Sequence, residues 1–401
     1  MTRLARRLLA AVLLSAVLLN ACAPASARIP IVETDAVELS FGGYFRTVMG
    51  FVTADCLKEP CGPDSMGLST AITRTELKLS VLETVTVDAH ARLLWRVASL
   101  PIFALGGGSV GAGASVAPPR WINLSWSLLG SNEDDPSHRL DLDIDRLALR
   151  LFLGDVDLTI GRQAITWGNS TMLPPADLWT AFSPFDLDSS QKRGIDGLRA
   201  VWGLTSDVEL DFVLVDRGTL HDLSGGVRTV IYTAWGDVWA GAAKSYEQVG
   251  LMAGVAAEVD VLTLRAEAFA GWDLDKDAIR RPRVTLGVDW FQSADFMLAG
   301  EVHYSGLGGD LKSLGRGEIY LSREWYVGLL ATYKLTELLS LSLTPIINAE
   351  ADPSALIAWN IGYSIAQDVD ISLGAFHGAG ASTSEFGATG HFVFLQLAAF
   401  L

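Results

Sequence analysis

Apolar and polar residues alternate through most of the chain. In residues 84–98, Val85, Val87, Ala89, Ala91, Leu93, Trp95 and Val97 fall on one face, and Asp88, His90, Arg92 and Arg96 on the other. Residues 69–82 repeat the arrangement, with Thr75, Leu77, Leu79 and Val81 against Arg74, Glu76, Lys78 and Ser80. The period returns at 207–216, 262–268, 283–290 and 296–304. A period of two is what a strand with one wet face and one apolar face requires, so the pattern predicts an all-β protein.

The connections also alternate. Tight turns are expected near 83–86, 154–157, 204–207, 258–261, 292–295, 335–338 and 366–369. Long connections are expected near 55–68, 99–143, 163–193, 217–247, 271–283, 305–323, 347–355 and 378–390. Short periplasmic turns and long extracellular loops describe a transmembrane antiparallel up-and-down β-barrel. The spacing predicts about 16 strands, within a range of 14–18. Phe41, Phe45, Trp95, Trp290, Tyr304, Trp325, Tyr333, Trp359 and Tyr363 lie near segment ends, where an interfacial girdle needs aromatics. The period changes only within 217–247. There Val227, Val230, Ile231, Ala234, Trp235, Val238 and Trp239 follow a helical rhythm, so 227–244 is expected to be a short amphipathic helix, with two further strands as the alternative.

Residues 1–27 read as an export signal and 28–401 as the barrel. Arg3, Arg6 and Arg7 precede an apolar run from Leu8 to Leu19, too short for a membrane-spanning helix. Ala25-Ser26-Ala27 fits ordinary signal cleavage; Leu19-Asn20-Ala21-Cys22 fits a lipobox, with lipidation of Cys22. Losing the three leader arginines takes the formal charge from −16 to −19, which speaks against non-specific nucleic-acid binding. An oxidising compartment permits a Cys56–Cys61 disulfide at a loop tip, and two thiols without a nearby His make a poor metal site.

Gly161-Arg162-Gln163-x-x-x-Trp167-Gly168, then Pro174-Pro175-x-Asp177, then Arg193-Gly194-x-Asp196-Gly197, resembles a segment of porin-like outer-membrane β-barrels of Gram-negative bacteria. The match covers about 40 residues, and the terminal Ala399-Phe400-Leu401 departs from the usual terminal aromatic. The resemblance implies a pore, with loop 163–193 folded toward the lumen as a constriction. The residues themselves suggest a helical turn over Ala176–Phe182, with Asp177 near its start and Asp186, Asp188, Lys192 and Arg193 beyond.

With the apolar set facing outward, parity puts Arg46, Arg74, Lys78, Arg92, Arg96, Arg146 and Arg150 on the lumen wall of the first strands. Later strands contribute Glu209, Asp211, Glu267, Asp289, Glu301 and Asp370, with Arg265, Arg283 and Lys334 among them. Such a basic strip could select solutes or simply brace the wall by pairing across strands. The acidic surplus is expected mainly in loops such as Glu133-Asp134-Asp135 and Asp141-x-Asp143-x-Asp145. The latter fails as a calcium loop because Arg146 replaces the required Gly. His90 and His303 point inward with no nucleophile beside them, so no enzyme is expected.

The sequence thus predicts an outer-membrane channel for passive diffusion of small polar solutes, without a cofactor. Its surroundings would be outer-membrane lipid and the barrel assembly machinery, with a homotrimer compatible. The alternatives are a barrel plugged by the 227–244 helix and serving structure or assembly, or a transporter of hydrophobic substrates through a lateral opening.

Overall fold

The computed structural model describes residues 28–53, 65–98, 120–129, 138–179, 191–316, 318–319 and 321–401. The expected leader with Cys22, the Cys56–Cys61 pair, Asp186, Asp188 and the 133–135 acids lie outside the described residues.

The alternating segments form a closed antiparallel barrel of 18 strands. The wall runs through Val37–Thr53, Ser65–Val81, Val85–Ala98, His138–Leu153, Val156–Gln163, Ile195–Thr205, Val208–Val215, Ser224–Thr233 and Gly236–Ser245. It continues through Gln248–Val259, Leu262–Asp273, Arg283–Phe291, Phe296–Ser305, Trp325–Lys334, Leu339–Asn348, Ser354–Ala366, Val369–Ala379 and His391–Phe400. The last strand pairs with the first from Tyr44↔Phe400 to Thr53↔His391. Closure leaves no open edge, which is what strand backbones need in a medium without water. Among the described residues, every wall strand is paired with both of its neighbours.

All seven expected tight turns are present, and an eighth, at 234–235, joins Ser224–Thr233 to Gly236–Ser245. Residues 227–244 are therefore two wall strands and not a helix. Val227 and Ile231 are exposed on the outer face, whereas Val230 pairs with Trp239 and both are buried inside. Apolar residues on both faces had imitated a helical rhythm. The plugged-barrel reading loses its plug with this correction.

Outward positions form a belt of exposed apolar side chains, among them Leu251, Leu264, Leu286, Leu329, Leu343 and Leu395. Aromatics edge the belt. Phe296 meets both Trp290 and Tyr333 at 6.1 Å on the short-turn side, and Tyr304 meets Trp325 at 4.8 Å on the long-loop side. An apolar outer band between aromatic rims is the surface that a bilayer covers. The packed clusters lie within the barrel, where long-rim connections fold against the inner wall.

Candidate functional site

The described parts of the connection, 164–179 and 191–194, lie inside the barrel and are held by its wall. Gly161 starts the departure in the left-handed region at φ +114°, where a Cβ would stand 2.2 Å from the Leu147 carbonyl oxygen. Arg162, almost fully buried, donates to both carboxylate oxygens of Asp196 at 2.6 and 2.8 Å. The same guanidinium donates to the Ile144 and Ile122 carbonyls, so it staples both ends of the loop to the 122–124 segment. Trp167 is 1% exposed, donates from Nε1 to Asp211 at 2.7 Å and packs edge-on against Trp179.

From Trp167 to Leu173 the backbone finds its partners in wall side chains. Arg228 donates to the Trp167 carbonyl and Arg265 to the Asn169 carbonyl. Glu267 accepts from the amides of Asn169 and Ser170. Glu301 accepts from three successive amides, those of Thr171, Met172 and Leu173. Thr171 Oγ1 donates to Asp289, and Thr285 Oγ1 donates to the Leu173 carbonyl at 2.7 Å. An unpaired backbone group inside a barrel is costly, so these acids and arginines keep the loop inside. On one side Trp167, Leu178 and Trp179 pack against Val213, Val230, Trp239 and Phe269. On the other, Leu173 joins a cluster with Phe376, Phe392 and Phe394. The loop thus contacts two sectors of the wall.

Asp177 is buried and ion-paired with Lys192. The expected helical turn at Ala176–Phe182 is absent over its described part: 175–176 is a simple turn and 177–179 are irregular. Arg193 lies beside Gly194, whose ideal Cβ would sit 2.0 Å from the Asp145 carbonyl oxygen, leaving room only for hydrogen.

The register places Arg46, Arg74, Lys78, Arg92, Arg96, Arg146 and Arg150 on one inner sector, as parity predicts. The acids Asp141, Asp143 and Asp145 stand among them. They lie within the strand His138–Leu153 and not in a loop, a correction to the expected charge separation. A bulge between His90 and Ala91 brings Asp145 onto the same face as Arg146. Arg74 meets Asp145 at 2.9 Å and Glu76 at 3.2 Å, Arg96 meets Asp141 at 2.8 Å, and Arg150 meets Asp157 at 2.5 Å. Arg146 donates to the carbonyls of Asp145 and Lys192. Among the described residues, Arg92 enters no ion pair, although it faces Asp143 in register. The strip therefore braces the wall through Arg74, Arg96 and Arg150, whereas Lys78, like Arg92, enters no ion pair among the described residues. Sequence reasoning missed Arg120, Arg162 and Arg228; only Arg162 carried a signal, its place in the Gly-Arg-Gln motif.

At the long-loop rim, Glu247 gathers Arg280, Lys312 and Arg316. Burial would raise its carboxyl, but hydrogen bonds from Lys312 and Arg316 prevail and hold it down to about 2.

No family model matches the sequence, and no curated protein matches it. Solved structures do. OccK9 (OpdG) of Pseudomonas aeruginosa aligns with a TM-score of 0.59 at 11% identity, covering 90% of this chain and 98% of that one. A BenF-like porin from Pseudomonas fluorescens Pf-5 aligns at 0.57 and 10% identity, again over 90% and 98%. Acinetobacter baumannii OccAB4 aligns at 0.56 and 10%, over the same shares. At such identities the likeness speaks for the fold. The chain has the fold of the porin-like outer-membrane β-barrels of Gram-negative bacteria.

Proposed function

We propose that the protein is an outer-membrane channel for passive diffusion of small polar solutes, narrowed by the connection 163–193. The observation that carries this reading is the crossing loop. Its backbone is tethered by Arg228, Arg265, Glu267 and Glu301, and its Thr171 hydroxyl by Asp289, inside a closed barrel with charged inner walls. A barrel this wide encloses water unless something fills it, and a loop fixed across it sets which solutes pass.

Export through the 1–27 leader and insertion by the barrel assembly machinery belong to this proposal, as does the lipid-facing role of the apolar belt. Each closed chain is a complete pore, so the reading does not depend on association into trimers. No catalytic step is assigned to the barrel. Of the basic strip, Lys78 and Arg92 enter no ion pair among the described residues, so these two are the members offered to a passing anion.

The test is conductance of the purified protein in planar bilayers, with reversal potential measured across a salt gradient. Discrete open channels with a shifted reversal potential support the reading. A stably inserted barrel that passes no current overturns it.

A further inference from the structure

The last long connection, 380–390, folds back into the barrel and hydrogen-bonds to itself. Ser384 donates to the Ala381 carbonyl from both its amide and its hydroxyl, and the Ala388 amide donates to the Ser384 carbonyl. Thr389 donates to the Phe386 carbonyl in the same double fashion. These bonds make 381–389 one body. At its two ends stand Gly380 at φ +141° and Gly390 at φ +71°, conformations that favour glycine. Among the described residues, the bonds that tie this body to its surroundings lie on two adjacent positions. Glu385 accepts from the Ser322 amide at 2.6 Å, the Ser322 hydroxyl at 2.9 Å and the Tyr326 hydroxyl at 2.6 Å. Phe386 donates its amide to Ser354 Oγ at 3.3 Å, and its ring, 0% exposed, meets Tyr326 edge-on at 6.3 Å.

The apolar cluster that receives Phe386 also holds Leu173 of the crossing loop and Leu321, ahead of Trp325–Lys334. A body with glycine at each end and one compact point of attachment is built to swing. Its ends absorb the backbone rotation, and a single local release frees the whole. We propose that 380–390 is a hinged lid on the long-loop side of the lumen, latched by Glu385 and wedged by Phe386. Three donors converge on the latch carboxylate, and charge-assisted bonds are the strong ones, so the closed position prevails. Closed, the lid fills the inner wall beside Tyr326 with the Phe386 ring. Lifted, it withdraws that ring from the cluster that also steadies Leu173, and the passage gains a second, wider state.

As a gate the lid rests on the channel reading, but its motion is measurable without current. Ser354→Cys places a thiol under the lid, at a position 4% exposed. In the full chain with Cys56 and Cys61 changed to Ser, its reaction with a water-soluble maleimide should run about tenfold faster once Glu385→Gln is added. Ser245→Cys, equally buried on the strand Gly236–Ser245, should react alike in both backgrounds. In planar bilayers a rare larger conductance level is expected, and Glu385→Gln should make it about tenfold more frequent. A short bis-methanethiosulfonate tie between Ser322→Cys and Glu385→Cys should abolish that level until the tie is reduced. The lid is overturned if Glu385→Gln leaves Ser354→Cys no more reactive, or if Ser245→Cys speeds up with it, since the whole barrel would then be loosened. Current at one level with an unmoved Ser354→Cys rejects the lid alone; a Ser354→Cys response in a barrel that passes no current rejects the channel alone.

Discussion

Glu301 accepts three successive backbone amides of the crossing loop. Glutamine keeps one oxygen and turns an NH2 toward amides that are themselves donors. Charge-assisted bonds of this kind contribute about 1.5–3 kcal/mol each. Glu301→Gln is therefore expected to loosen the loop without opening the barrel: open-channel current noise should rise severalfold while the thermal midpoint of the barrel moves little. Quiet single-channel traces from the variant would show that the tether is dispensable. The arginines separate in the same way. Arg96 is neutralised by Asp141 at 2.8 Å, whereas Arg92 enters no ion pair among the described residues. Arg92→Gln should reduce anion preference in reversal-potential measurements more than Arg96→Gln does, and the opposite ranking would place selectivity elsewhere.

Among the elements, the hairpin Ser224–Thr233 and Gly236–Ser245 marks where the sequence stops being legible. Strands at 84–98 or 283–290 announce themselves because one face meets lipid and the other meets water. Val230 and Trp239 instead face Trp167 and Trp179 of the loop, so neither face of that hairpin is consistently polar. The acids Asp211, Glu267, Asp289 and Glu301 were readable as lumen residues by parity. Their task was not, because it depends on the path of a loop that has no periodicity of its own. Cysteines placed singly from 227 to 233 should react with a lipid-soluble maleimide at 227, 229 and 231 and stay protected at 228 and 230; a helix would give a three-to-four-residue spacing. At the rim, Tyr246 sits in the left-handed region at φ +53°, clasped by Arg217 at 4.8 Å and Arg316 at 4.1 Å. Strain of that kind persists only where neighbours hold it. Glu247 beside it is depressed from 4.5 to about 2, so its stabilising effect is complete above about pH 4.5 and is lost as pH falls through about 2. Protease nicking of the rim connections should rise over that acid range, and Glu247→Gln should flatten the dependence.

For the molecule as a whole, closure between Val37–Thr53 and His391–Phe400 is the contact that turns a sheet into a barrel. Phe51 and Val393 lie opposite each other on the outer face of that seam. A disulfide engineered between Phe51→Cys and Val393→Cys should leave conductance unchanged, and a large loss on oxidation would mean that the seam must part for transport. The loop tethers carry a consequence for assembly. Thr171 and Glu301 are 130 residues apart in the chain, and Asn169 and Glu267 are 98 apart. Contacts this distant form late, after the intervening strands have paired. On the proposed reading, the constriction is therefore finished last. A barrel caught midway through insertion would have a wider bore than the finished one, and would leak until its eleventh, twelfth and thirteenth strands arrive to draw the loop into place.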